Sequence, residues 1–102
     1  MAIRATNRAE FIRRLSLRND LERWVGKEVE WFVDAQRNII GTIAIAARYE
    51  GWNYVVLAKN RLGKFQAASR RENLFSLDEA REDCLHAMET DCTILGLLSG
   101  TD

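Results

Sequence analysis

Glu28-Val29-Glu30-Trp31-Phe32-Val33-Asp34 decides the fold. Val29, Trp31 and Val33 alternate with Glu28, Glu30 and Asp34, and a period of two places one set toward a core and the other toward water, as a half-buried strand requires. Ala35-Gln36-Arg37-Asn38 then reads as a turn. A second strand follows over residues 39–48, β-branched at Ile39, Ile40, Thr42, Ile43 and Ile45. Gly41 within it suggests a bulge or a place where another backbone comes close. Tyr49-Glu50-Gly51 returns the chain into a third strand, 52–59, whose Tyr54-Val55-Val56-Leu57 run favours β structure. Asn60-Arg61-Leu62-Gly63 turns it again into a fourth, 64–69. Each connection is too short for a parallel crossover, so residues 28–69 form an antiparallel meander of about four strands.

Both faces of that meander are apolar. Val29, Trp31, Val33, Ile43, Ile45, Val55, Leu57 and Phe65 are expected to make one layer. Phe32, Ala44, Ala46, Tyr54, Val56 and Ala58 make the other. A solvated second face would be more polar, so it needs a cover: the N-terminal helices, a second copy of the protein, or a ligand.

On the N-terminal side, residues 1–26 read as helical. Asn7 with Glu10 three residues on has capping-box spacing, and Phe11, Ile12 and Leu15 share a face. Leu17, Leu21, Trp24 and Val25 point elsewhere at about 100° per residue, which predicts a break near Ser16 and an end at Gly26. On the C-terminal side, Phe75-Ser76-Leu77-Asp78-Glu79-Ala80 carries the clearest local signal. Ser76 and Glu79 form a second capping box, and Asp78 and Glu79 place negative charge where the helix dipole favours it. The helix is expected over 76–95, burying Leu77, Ala80, Cys84, Ala87 and Met88, before the apolar end Ile94-Leu95-Gly96-Leu97-Leu98. The expected architecture is α+β in a single domain, 1–102: an N-terminal helical segment, the antiparallel meander, and a C-terminal amphipathic helix packed on one sheet face.

The chain of 102 residues is 47% hydrophobic and 29% charged with zero net charge, which suits one modest core. No stretch approaches the about 18 apolar residues of a membrane span, and Met1 to Arg8 lacks the apolar centre of a secretory signal, so a cytoplasmic protein is expected. Cys84 and Cys92 would lie about 12 Å apart along one helix, too far for a disulfide. His86, the single histidine, is out of phase with both cysteines, so neither a zinc site nor a Cys–His nucleophile is expected. Glu28, Glu30 and Asp34 share a strand face, but no pocket is inferable around them for acid–base work. Gly41, Gly51 and Gly63 are each isolated, and no phosphate loop is present. No catalytic residue, metal or cofactor is expected.

Three binding readings remain, one of them a small-ligand pocket between the sheet and a helix. The first is protein interaction or self-assembly, as a homodimer, carried by surplus apolar surface at Phe32, Val56, Ile94, Leu95, Leu97 and Leu98. The second uses the basic hairpin of the third and fourth strands. Residues 59–71 hold Lys59, Arg61, Lys64, Arg70 and Arg71 and no acid, and Trp52 and Tyr54 could stack bases while those cations neutralise phosphates. An order of strands followed by one helix over residues 28–90 is similar to that of the integrase N-terminal DNA-binding domains, and implies a sheet that enters the major groove. The acidic helix that follows, with Asp78, Glu79, Glu82, Asp83 and Glu89 against a single Arg81, opposes that reading.

Overall fold

A computed structural model describes residues 3–15, 28–45, 51–60 and 62–94. Their order is β1 (Ile3–Thr6), α1 (Arg8–Leu15), β2 (Glu28–Asp34), β3 (Ile39–Ile45), β4 (Trp52–Lys59), β5 (Phe65–Leu74) and α2 (Leu77–Ile94). The strands make one antiparallel five-stranded sheet in sequence order, and the class is α+β. The expected break near Ser16, the end at Gly26 and the continuation of the second strand through Arg48 lie outside the described residues.

The N-terminal segment opens with a strand, where the sequence suggested only helix. Ile3 to Thr6 pairs with Asp34 to Trp31, an association between distant parts of the chain that four residues cannot announce locally. β5 is also longer than expected, running through Arg70-Arg71-Glu72-Asn73 to Leu74. Those polar residues are tolerated because β5 is an edge strand with one side open to water.

Both helix starts follow their capping boxes. The Asn7 Oδ1 accepts the Glu10 N–H at 2.9 Å, and the Ser76 Oγ accepts the Glu79 N–H at 3.1 Å while Glu79 Oε1 accepts the Phe75 N–H at 2.8 Å. Each satisfies donors that have no partner within the helix, worth about 1 kcal/mol per cap. At α1 the cap extends into a cluster: Glu10 also receives Arg4 at 2.7 Å, Arg14 at 3.0 Å and the Thr6 hydroxyl. The Arg4, Thr6 and Arg14 donors together hold the Glu10 carboxyl down at about 2, from an ordinary 4.5. A depressed carboxylate adds stability that is complete above about pH 4.5 and disappears as pH falls toward 2. Glu10→Gln should therefore lower thermal stability at neutral pH and flatten its acid limb across that window, the two proteins converging toward pH 2. An unchanged acid limb, followed by circular dichroism melts from pH 5 downward, would show the cluster contributes nothing.

α2 crosses β3, β4 and β5 on one face. Its stripe Ala80, Cys84, Ala87 and Met88 is buried against Phe32, Ile39, Ile43, Tyr54, Val56, Ala58 and Leu74. The small residues let the helix sit low, and Gly41 is where it sits lowest: a Cβ there would meet Cys84 Sγ at 3.0 Å and Met88 Sδ at 3.1 Å. Gly41 is thus the site of close approach, and the bulges fall elsewhere, between Glu28 and Glu30 and on β5. On the opposite face Phe11 of α1 joins Val33, Ile40, Ala44, Val55 and Leu57, with Trp31 and Phe65 partly buried beside them.

This arrangement corrects the expected layers. Trp31, Val33, Val55, Leu57 and Phe65 do share a face, but Ile43 belongs with Phe32, Tyr54 and Val56, and Ala44 with Val33. The four-residue turn pairs Asp34 with Ile39, five positions apart, and that odd offset inverts the parity of β3 relative to the assumed one. Val29 also changes sides, because the bulge between Glu28 and Glu30 shifts the alternation there.

Candidate binding surfaces

The three carboxylates of β2 separate once the bulge is included. Glu28 pairs opposite Ala44 and Glu30 opposite Ile43, so these two face opposite ways. Glu28 meets Arg8 at 3.6 Å. Glu30 accepts from Arg81 of α2, whose guanidinium also holds Asp78 at 2.9 Å, and Asp34 accepts from Arg37 Nε at 2.7 Å. No two of them stand together as an acid–base pair, and each is committed to an arginine. Burial pushes the Cys84 thiol up to about 12, well away from nucleophilic use. His86 sits on the solvent side of α2. Among the described residues no three His, Cys, Asp or Glu side chains converge as a metal site needs.

The basic hairpin is less basic than its sequence. Arg70 is paired with Glu72 at 3.0 Å, and Arg71 reaches across to Asp83 of α2. Tyr54 is buried beneath α2 at 3% exposure, its hydroxyl 3.5 Å from Ser69 Oγ, so it offers no face for stacking. Trp52 is half-buried against the same cluster. Lys59 and Lys64 remain exposed at the turn, with the Lys59 ammonium 5.8 Å from the centre of the Phe65 ring. Arg61 lies outside the described residues. The sequence hid this neutralisation because Arg71 and Asp83 are twelve positions apart and meet only when α2 folds back on the sheet.

The apolar candidates divide likewise. Phe32 and Val56, at 6% and 0% exposure, are covered by the chain's own α2 and present no surface. Ile94 is the last described residue of α2; Leu95, Leu97 and Leu98 lie outside the described residues. The exposed apolar surface sits where the sequence analysis did not place it. Besides Leu62 in the β4–β5 turn at 82% and Ile12 on α1 at 41%, the exposed large apolar side chains among the described residues are Phe75, at 93%, and Ile45, at 51%. Register brings them to one end of the sheet: Ile45 pairs with Trp52, and Trp52 with Leu74, the residue before Phe75. Val29 and Leu77, both partly buried, border the same end of the helix-covered core. A hydrophobic residue preceding an N-cap commonly packs on the fourth helical residue, here Ala80. Ala80 is fully buried and offers Phe75 nothing to cover, so the ring stays in water.

No family model matches the chain, and comparison with curated proteins and with solved structures finds no match. No described helix is long and apolar enough to cross a membrane.

Proposed function

We propose that this protein is a non-catalytic protein-interaction module that associates with a second copy of itself through the apolar sheet end around Phe75. Phe75 carries the reading: a phenylalanine left 93% exposed at the sheet end that also holds Ile45 costs solubility and returns nothing to the monomer's core. Burying one such ring is worth about 1.5–3 kcal/mol, and a two-fold interface buries it twice. The half-buried Trp52 extends the patch, and aromatic side chains of this kind concentrate the energy of interfaces. A catalytic reading lacks support, since the buried thiol and the arginine-bound carboxylates have no free chemistry to offer. The unbridged thiol of Cys84 suits a reducing compartment, and we place the protein in the cytoplasm.

Light scattering decides the matter. The wild-type protein should scatter as a dimer and Phe75→Ser as a monomer with unchanged circular dichroism, because the ring supports no core contact. A wild-type monomer at high concentration removes self-association. The nucleic-acid reading is weaker, because Arg70 and Arg71 already spend their charge on Glu72 and Asp83. It predicts salt-sensitive binding of random oligonucleotides at low ionic strength, lost on Lys64→Glu; we expect no such binding.

A further inference from the structure

The β4–β5 turn lies at the far end of the sheet from Phe75, since Lys59 pairs with Phe65 there and Trp52 with Leu74 at the other end. Its shape is fixed from within. Asn60 Oδ1 accepts the N–H groups of Leu62 at 2.9 Å and Lys64 at 3.1 Å, while its Nδ2 donates to Gln66 Oε1 at 3.0 Å. The Asn60 N–H donates to the Lys64 carbonyl at 2.8 Å and the Gly63 N–H to the Asn60 carbonyl at 3.0 Å, and Gly63 supplies a left-handed φ of 80°. Leu62 is thereby held at the tip, 82% exposed, with no core beneath it. Cations surround it: Lys59 and Lys64 are exposed on either side of the turn without a carboxylate partner among the described residues, and Arg14 of α1 lines the same open depression as Lys59.

From this juxtaposition we infer that the β4–β5 end of the sheet docks on an anionic lipid surface. Leu62 enters the boundary between headgroups and acyl chains while Lys59, Lys64 and Arg14 rest among the lipid phosphates and carboxylates. Charge selects an anionic partner: residues 59–71 hold no acid, and Glu10 of α1 is already engaged by Arg4 and Arg14. The apolar tip then selects lipid among anions. A nucleic acid offers phosphates with no apolar layer behind them, and Tyr54, the aromatic expected to stack on its bases, is buried. Behind charged headgroups lies hydrocarbon, so a leucine held ahead of lysines finds there the burial that the monomer does not give it. Glu82 and Glu89, exposed acids of α2, lie on the opposite face of the sheet from α1. One leucine and three cations make a reversible contact, half-complete at about millimolar accessible lipid. Self-association through Phe75 is not required for it, since the two surfaces lie at opposite ends of the sheet.

Co-sedimentation with large unilamellar vesicles tests this, with phosphatidylcholine containing about 30% phosphatidylserine set against phosphatidylcholine alone. The wild-type protein should pellet with the anionic vesicles, less so at raised salt, and stay in the supernatant with the neutral ones. Leu62→Ser should weaken the binding by about tenfold or more and Lys64→Gln by about fivefold. Both should leave the melting temperature unchanged, because both side chains are exposed. Phe75→Ser should bind as the wild type does. Absence of binding to the anionic vesicles overturns the site. Equal binding to neutral vesicles removes the role of charge, an unaffected Leu62→Ser leaves only an unselective cationic patch, and loss of binding in Phe75→Ser moves the contact to the other end of the sheet. Binding of polyglutamate or of a random oligonucleotide with the same dependence on Leu62 makes the partner a polyanion and not a lipid; any of these results rejects the inference.

Discussion

Valine in place of Gly41 is expected to lower the unfolding free energy by about 2–3 kcal/mol, read in urea as a lower midpoint at unchanged slope. Propensity alone predicts the opposite sign, since valine outranks glycine in a strand on a scale that spans about 1 kcal/mol. Packing decides. A Cβ at this position stands 3.0 Å from Cys84 Sγ, 3.1 Å from Met88 Sδ and 3.6 Å from Val56 Cγ2, all in a fully buried layer. A lone methyl displaces the flexible Met88 by a few tenths of an ångström, so Gly41→Ala should fall within about 1 kcal/mol of wild type. The two further methyls of valine have no room unless α2 lifts from β3, which would uncover Ile39 and Ile43. Met88→Ala by itself opens a cavity and costs about 2–5 kcal/mol. Combined with Gly41→Val it should cost less than the sum, because the added methyls occupy the vacated space, and the cycle should give a coupling of about 1 kcal/mol or more. Strict additivity, or a stabilised Gly41→Val, would mean that α2 does not lie on Gly41.

What the sequence made legible follows from how local each signal is. The strand over Glu28 to Asp34 and the capping boxes at Asn7 and Ser76 are contained within a few residues, and each forms, but the alternation within the strand breaks at the Glu28–Glu30 bulge and Asp34 is buried where it places a residue in water. At Gly41 the sequence left a bulge and a close-lying backbone both open, and the structure gives instead a close approach of the Cys84 and Met88 side chains. β1 was not legible, because Ile3-Arg4-Ala5-Thr6 becomes a strand only by pairing with β2 across an intervening helix. The face of β3 was misassigned because parity depends on turn register, which Ala35 to Asn38 do not encode by composition. The binding surfaces were the least legible. Phe32 and Val56 looked unpartnered only until α2 was placed over them, and the basic hairpin looked free only until Asp83 arrived beside Arg71. Phe75 carried no sign of exposure in the sequence, and its exposure follows from the small size and full burial of Ala80. In each case the missing information was which element folds over which, a property of long-range contacts.

Asp34→Ala is the second change expected to be severe, at about 3 kcal/mol, because Asp34 anchors the contact that orients α2 along the sheet. Its side chain is 3% exposed, and one oxygen accepts Arg37 Nε at 2.7 Å while the other accepts the Arg37 backbone N–H at 3.2 Å. So held, the Arg37 guanidinium reaches α2 and donates to the Met88 carbonyl at 2.8 Å and the Glu89 carbonyl at 3.5 Å. These carbonyls lie more than a turn before the end of α2 at Ile94, so Arg37 ties the β2–β3 turn to the middle of the helix's C-terminal half. Removing Asp34 leaves that guanidinium without its counter-charge and frees it from the helix. Arg37→Ala strands a buried carboxylate and should cost a similar amount, about 2–3 kcal/mol. Arg37→Lys should not rescue, since one ammonium cannot span a carboxylate and two carbonyls as a guanidinium fork does. The double variant Asp34→Ala with Arg37→Ala should be less destabilised than the sum of the singles, because neither charge is then left alone. Hydrogen exchange locates the effect: amides in the C-terminal half of α2 should lose protection in either single variant while those following Ser76 keep theirs. Uniform loss along α2 would make the latch a contributor to global stability only, and a penalty below about 1 kcal/mol for both singles would show that α2 is oriented by its apolar stripe alone.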